Sequence, residues 1–367
     1  MSWSRSESFI GLLTYSGRHL QIASQSLLRT AATLFAETIV NLRGKKILVI
    51  GGAGFIGSHL VDHLLKTNVD EIIVYDNFSR GARGNLTEAL RDHRVRVFAL
   101  GGDITQTDIL NEAMKGIDGV FHLAALWLLH CHEYPRSAFE VNMGGTFNVL
   151  EACVANKVPR LVYSSSASVY GNAVNIPMTE DHIYNNRTFY GATKIAGEHM
   201  CRAFHERYGL DYVGLRYMNV YGPRQDYKGA YIAVVMKILD RLEQGLSPVI
   251  FGDGSQEYDF VYVSDVAAAN VKAMEAGTTD TLYNVGSGQG TTIRAITEMI
   301  LDLTGSRLPI QYEQAGQTFV TKRIGDPNKA ARELGFRSSV DLREGLKKLI
   351  EWRSHHKDQV SAQRALA

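Results

Sequence analysis

Cysteine is scarce in this chain. Cys131, Cys153 and Cys201 are the only three among 367 residues. They are too few and too scattered for a disulfide framework, which fits a reducing cytoplasm. No uninterrupted apolar run reaches the roughly 18 residues of a membrane span, so none is expected. Charge of either sign is also not in excess: 39 Lys and Arg face 38 Asp and Glu, for a formal net charge of +1. Such a chain has no global field to draw nucleic acid, and no basic patch is interleaved with aromatics. Internal repeats and low-complexity segments are absent too. What remains is 45% hydrophobic and 21% charged residues, an ordinary composition at a length that buries a large core.

The first strong pattern lies at Lys45-Lys46-Ile47-Leu48-Val49-Ile50, an apolar run that leads into GGAGFIGSHLVDHLL. The period switches from strand to helix across the glycines. Gly51, Gly54 and Gly57 are spaced GxxGxxG; glycines there permit positive φ and close backbone approach, and the helix N-terminus aims its N–H groups at a diphosphate. Asp76 ends the next apolar run, EIIVYD. A carboxylate there accepts hydrogen bonds from a ribose diol and repels a 2′-phosphate, favouring NAD over NADP, with Arg80 weakening that preference. Further apolar runs at Ile72–Tyr75, Val95–Leu100, Gly119–Leu123 and Arg160–Ser164 alternate with helical stretches. This alternation predicts an α/β fold with a doubly wound parallel sheet of Rossmann type.

The second pattern carries chemistry. Tyr190-Gly-Ala-Thr-Lys194 follows the serine-rich SSSASVYG that holds Ser166. Positions i and i+4 share one helix face, so the phenol and the ammonium are expected side by side. A free tyrosine has a pKa of about 10 and is a poor base near neutrality, but a neighbouring ammonium and a nicotinamide cation would stabilise its phenolate. Ser166, at a strand end, would hydrogen-bond the same substrate oxygen. The combination proposes alcohol–ketone chemistry; taken alone, Tyr and Lys at this spacing also fit a core tyrosine and a solvated lysine.

With GGAGFIG, VYDNFSRG, Gly102-Asp103-Ile104, His122-Leu123-Ala124-Ala125, Asn142, SSSASVYG, LRYMNVYGPRQ, GDGSQEYDFVYVSD and YNVGSG added, the sequence resembles the extended short-chain dehydrogenase/reductases, in particular the nucleotide-sugar epimerase/dehydratase group around UDP-hexose 4-epimerase. The match runs from about Lys45 to about Trp352. The resemblance implies NAD as cofactor, a nucleotide-sugar substrate and a homodimer, paired through helices after Ser137 and Tyr190 with apolar Phe147, Leu150, Ala196 and Met200. It implies that Gly51, Gly54, Phe55, Ile56, Gly57, Asp76 and Asn77 bind the cofactor together with Asp103, Ile104, Leu123, Ala124, Ala125, Asn142 and Ser164. Tyr190, Lys194 and Ser166 would be catalytic, with Lys194 lowering the tyrosine pKa. Substrate contacts would come from Ser166, Asn219, Arg224, Tyr258 and Arg323. Residues 45–220 would be mainly the cofactor domain and 221–352 mainly an α/β substrate lobe, built from segments around Lys228–Gly254 and Ser306–Arg323, before a polar tail at 353–367.

Departures from the family pattern are as informative. Dehydratases of the group carry Asp-Glu after the catalytic hydroxyl residue and decarboxylases usually keep the Glu, whereas Ala167 and Ser168 stand here. That leaves reversible oxidation and inversion of one sugar carbon, most simply C4. A net oxidoreductase and a non-catalytic binding module stay open as alternatives. Tyr258 occupies a position usually held by a diphosphate-binding arginine, and a second such arginine is missing around Gly316. Arg323, with Lys322 beside it, falls where the family gates its sugar pocket, so either Arg323, Lys322 or Arg224 replaces the diphosphate clamp or the substrate differs from an ordinary UDP-hexose, with Arg323 expected to contact an anionic group of the substrate. A metal is not expected: in His130-Cys131-His132, adjacent residues on an extended segment would point to opposite faces. These histidines are read as structural, with sugar contact as the alternative. Residues 1–44 lie outside the resemblance, and Leu20, Ala23, Leu27, Ala31, Leu34, Thr38 and Leu42 recur at helical steps. An added packing helix is expected there, with a membrane-surface or targeting segment as the alternative. Glu7, Glu37 and the lack of a small-residue cleavage pattern argue against a secretory signal.

Overall fold

The computed structural model describes residues 41–225, 234–314 and 320–356. The helix expected over residues 20–42 lies outside them, except for Leu42, which is non-helical and buried in the core ahead of the first strand. From Asn41 onward the described residues form one compact unit. Its strands are β1 (Lys46–Ile50), β2 (Glu71–Tyr75), β3 (Val95–Val97), β4 (Gly119–His122), β5 (Arg160–Ser166), β6 (Asp211–Tyr217), β7 (Asn219–Tyr221), β8 (Val249–Phe251), β9 (Glu257–Tyr262), β10 (Thr281–Val285), β11 (Gly290–Thr292), β12 (Gln311–Glu313) and β13 (Lys322–Arg323).

Seven of these build the central sheet in the order β10-β6-β5-β4-β1-β2-β3, and every pairing is parallel. A parallel sheet covered on both faces must bury both side-chain sets, which is why its strands are continuous apolar runs rather than alternating ones. Ile47 and Val49 of β1 enter one core, with Ile72, Val74, Phe121, Val162 and Val213. Leu48 and Ile50 enter the other, with Ile73, Val120, Leu161 and Tyr212. Because β1 pairs with β2 on one side and β4 on the other, the strand order reverses there. A crevice opens at the carboxyl ends of such strands. β3 stops at Val97, short of the expected Leu100, which is exposed.

Residues beyond Val220 serve two structures. The Val263–Glu275 helix and β10 return to the central sheet. β9 instead pairs with β7, β11 and β13, and β8 pairs with β12. A third core of Tyr221, Val235, Ile238, Phe260, Ile296 and Leu346 holds this part together. Of the residues expected at a subunit interface, Leu150 lies in the core, with no exposed surface. Phe147 remains 41% exposed and packs edge-on against Phe204.

The helix Phe189–Tyr208 is held to the sheet by charge. Glu198 and Arg216 of β6 form an ion pair at 2.8 Å with side chains 2% and 1% exposed. Ser165 and Tyr184 donate to the Glu198 carboxylate, and Arg216 donates to the Glu180 carbonyl and the Tyr170 hydroxyl. Removing one partner of such a pair strands a buried charge, at about 3–5 kcal/mol. Glu198→Ala is therefore expected to lower unfolding stability by that amount in a denaturant titration, and Glu198→Leu with Arg216→Met to recover most of the loss. A single variant as stable as the wild type would show that the pair does not anchor the helix.

Candidate active site

The cofactor cleft follows from the turn after β1. Gly51 has φ +82°, and a Cβ there would lie 2.7 Å from the Ala124 nitrogen; one on Gly57 would lie 2.1 Å from the Gly51 carbonyl oxygen. These two glycines let turn, helix and β4 loop close on one another. The Phe55–Leu64 helix starts there with no acidic residue in its first turn, so its free N–H groups face the cleft with nothing to oppose an anion. Gly51, Gly54, Phe55, Ile56, Gly57, Asp76, Asn77, Asp103, Ile104, Leu123, Ala124, Ala125, Ser164, Tyr190 and Lys194 all line this cleft of about 720 Å³. Asp76 accepts from the Ala53 and Phe78 N–H groups at 2.9 and 2.8 Å. Burial raises its carboxyl above the ordinary range, and those two donors hold it back. Asn77 reaches Asp103 across the same end. This donor and acceptor set fits a dinucleotide, with the diphosphate at the helix start and the ribose diol at Asp76.

Two expected ligands sit differently. Asn142 does not line the cleft: its amide accepts from the Leu126 N–H and donates to the Leu126 carbonyl and Thr193 hydroxyl. It braces the loop after β4 against the Tyr190 helix, from within a π-helical stretch, Ala138–Gly145, whose wider turns redirect that side chain. Arg224 lines the cofactor cleft instead of the substrate cavity, and is bound to Asp62 at 2.7 Å. The Asp62 partner, on the helix after the glycines, draws it there. Arg80 also stands in the cleft, its guanidinium 3.6 Å from the Trp127 ring centroid.

Ser166 ends β5 and Tyr190 opens the facing helix, whose first turn is capped by the Thr188 hydroxyl on the Gly191 N–H. Lys194 donates to the Ser164 carbonyl at 2.7 Å. Its ammonium lies 5.8 Å from the Tyr190 ring centroid and 5.3 Å from that of Tyr163. Burial lowers the Lys194 pKa to about 8. Burial also raises that of Tyr190 to about 12, opposed by the Ser166 hydroxyl and then by the Arg80 and Arg323 charges. Desolvation thus dominates in the protein alone, and the charges that oppose it belong to Arg80 and Arg323 rather than to Lys194, from which the lowering was expected. With a pKa of about 8, the Lys194 ammonium is still mostly charged at neutral pH, and it is turned toward the Ser164 carbonyl.

Ser166 also lines a second cavity, of about 1020 Å³, which shares Leu128, Leu129, Tyr217 and Gln225 with the first. Asn219, Tyr258 and Arg323 line it. Asn219 donates to the Asp259 carbonyl, and the Tyr258 hydroxyl donates to the Val320 carbonyl at 2.7 Å. Arg323 on β13 stands directly opposite Tyr258 on β9. Lys322 is bound to Glu257 at 2.6 Å. Segments 226–233 and 315–319, with Lys228 and Gly316, lie outside the described residues.

His130-Cys131-His132 is helical, within Leu128–Glu133, rather than extended. Cys131 points inward, the His130 ring packs between Trp127 and Tyr134, and no metal-binding cluster exists among the described residues. The sequence reading missed Lys237, Arg241 and Gln256, which also line the second cavity, and the Glu198–Arg216 pair. A charge inside the apolar strand YVGLRY, and a Glu one turn after Lys194, were the available signals for the latter.

Sheet, glycine turn and Ser–Tyr–Lys site together define a short-chain dehydrogenase/reductase of the extended type. The family model for the NAD-dependent epimerase/dehydratase family matches residues 47–286. A putative UDP-glucose 4-epimerase of Methanocaldococcus jannaschii is 35% identical over 309 residues, 83% of this chain and 97% of that protein. A dTDP-glucose 4,6-dehydratase of an Actinoplanes species is 31% identical over 84% of this chain and 97% of its own. The structure of a UDP-N-acetylglucosamine 4-epimerase from Methanobrevibacter ruminantium, in complex with UDP-N-acetylmuramic acid, superposes with a TM-score of 0.80 at 34% identity, covering 85% of this chain and 99% of that one. The chain belongs to the NAD-dependent epimerase/dehydratase family, and its cofactor is NAD.

Asp76→Ala removes both the diol acceptor and the charge that repels a 2′-phosphate. Loss of charge-assisted hydrogen bonds worth about 1.5–3 kcal/mol is expected to weaken NAD binding roughly ten- to a hundredfold, and to narrow the preference over NADP. Fluorescence titration with both dinucleotides checks this. Wild-type protein that binds NADP as tightly as NAD would contradict the assignment.

Proposed function

We propose that the protein is a nucleotide-sugar epimerase that inverts C4 by transient oxidation to a 4-keto sugar and reduction from the opposite face. The observation that carries this reading is the placement of Ser166, Tyr190 and Lys194 where the two cavities meet, followed by Ala167 and Ser168 rather than by acids. Elimination needs an acid and a base at the departing water, and neither residue provides one.

NAD, when bound, supplies reversible hydride acceptance. The chain's own residues handle the proton and the geometry. Tyr190 takes the C4 hydroxyl proton and returns it after inversion, and Ser166 donates a hydrogen bond to the same oxygen. Since burial holds the Tyr190 phenol at about 12, it rests protonated at neutral pH and needs the positive charge of the bound nicotinamide to act as base. Lys194, fixed on the Ser164 carbonyl, stands ready to hydrogen-bond the nicotinamide ribose. The same reading includes a homodimer built on the exposed aromatics Phe139 and Phe147, and a cytoplasmic setting that suits three buried free thiols. No helix of the described residues is long and apolar enough to cross a membrane.

Tyr190→Phe keeps the ring and removes only the ionisable oxygen. It is expected to fold and to bind NAD as the wild type does, while turnover falls roughly a hundred- to ten-thousandfold. Turnover near that of the wild type would end the proposed mechanism.

A further inference from the structure

Four buried side-chain atoms among the described residues have no hydrogen-bond partner: His122 Nδ1, Gln225 Oε1, Gln256 Oε1 and Arg323 Nε. The last three belong to residues that line the substrate cavity. Buried polar groups are normally paired, so orphans that converge on a cavity mark where a ligand's polar groups belong. Two of them are acceptors, matched by sugar or nucleotide N–H and O–H groups. The third is a cation. Arg323 makes no ion pair with any described residue, and the neighbouring carboxylate, Glu257, is taken by Lys322. Arg323 is half-buried, with its Nε fully enclosed; leaving that N–H without an acceptor is unfavourable, and burial pulls the pKa down to about 10, which still leaves the group charged at neutral pH.

Position decides which anion it meets. Arg323 is placed opposite Tyr258 by strand register and lines the same cavity as Ser166, the residue read as meeting the reacting sugar oxygen. Other cations line the cavity beside β8: Arg241, whose Nε donates to the Ser247 carbonyl, and Lys237 one turn before it. A diphosphate at that end would meet two cations without calling on Arg323. We propose that the substrate's sugar carries a carboxylate and that Arg323 binds it through its two-pronged guanidinium. The proposal rests on the nucleotide-sugar reading and adds the chemical class of the sugar. A planar fork that matches a carboxylate bidentately is the property arginine has and lysine lacks.

Two matched pairs of probes test it, each neutral in one member and acidic in the other: UDP-glucose against UDP-glucuronate, and UDP-N-acetylglucosamine against UDP-N-acetylmuramate. Binding is measured by calorimetry on the NAD-loaded protein and on its Arg323→Met variant, with UDP alone as reference. In at least one pair the wild type is expected to bind the acid about ten- to a hundredfold more tightly than its neutral partner. Arg323→Met should abolish that preference while leaving UDP and NAD affinity unchanged. Its thermal midpoint should not fall, since Arg323 has no ion-pair partner among the described residues to leave stranded, whereas a purely structural arginine would lose stability. Indifference to the carboxylate in both pairs, with UDP still bound, overturns the proposal alone. So does an Arg323→Met variant that weakens UDP as much as the acid sugar, which would make Arg323 a diphosphate clamp. Failure of all four sugars and of UDP, dTDP, GDP and CDP to bind while NAD binds overturns the nucleotide-sugar reading, and the proposal with it.

Discussion

A lysine ammonium shut inside a protein needs a fixed acceptor, and Lys194 finds one in the Ser164 carbonyl at the end of β5, 2.7 Å away. That bond sets how the helix Phe189–Tyr208 lies on the sheet, and so where Tyr190 stands relative to Ser166. One turn further along the same face, Glu198 meets Arg216 of β6, pinning the helix a second time. Behind the site Asn142 ties the loop after β4 to Thr193. The Tyr190 phenol is therefore placed by three polar contacts between its helix and its surroundings, each difficult to break singly.

The electrostatic setting follows from the same burial. Desolvation holds the Tyr190 proton on and lowers the Lys194 pKa to about 8, so at neutral pH the phenol is protonated while the ammonium is still mostly charged. A group whose charged form is disfavoured until a cation arrives beside it can be switched on by binding. The protein without its cofactor is thus poorly set for chemistry.

The central sheet was legible in the sequence because parallel strands buried on both faces read as unbroken apolar runs, and because the glycines after β1 admit few conformations. Asp76 and the Tyr190–Lys194 spacing were legible for similar local reasons. What escaped depends on residues distant in the chain. The Arg224 contact with Asp62 needs the strand order to be visible, as does the Glu198–Arg216 pair. The inward turn of Asn142 depends on a π-helical irregularity, which has no sequence period. The helical state of His130-Cys131-His132 was hidden by a short apolar segment that suits either structure. Tyr258 and Arg323 are far apart in sequence but cross-strand neighbours. Both therefore line one wall of the second cavity.

The central claim is that hydride leaves C4 and returns to C4 within one active site. The most direct measurement incubates the purified protein, with no added NAD, with UDP- and dTDP-hexoses carrying deuterium at C4, and follows the products by NMR and mass spectrometry. The account expects a C4-inverted product that keeps its deuterium and its mass. Loss of water from the product, exchange of the label with solvent, or a ketone accumulating in step with reduced nicotinamide would contradict it.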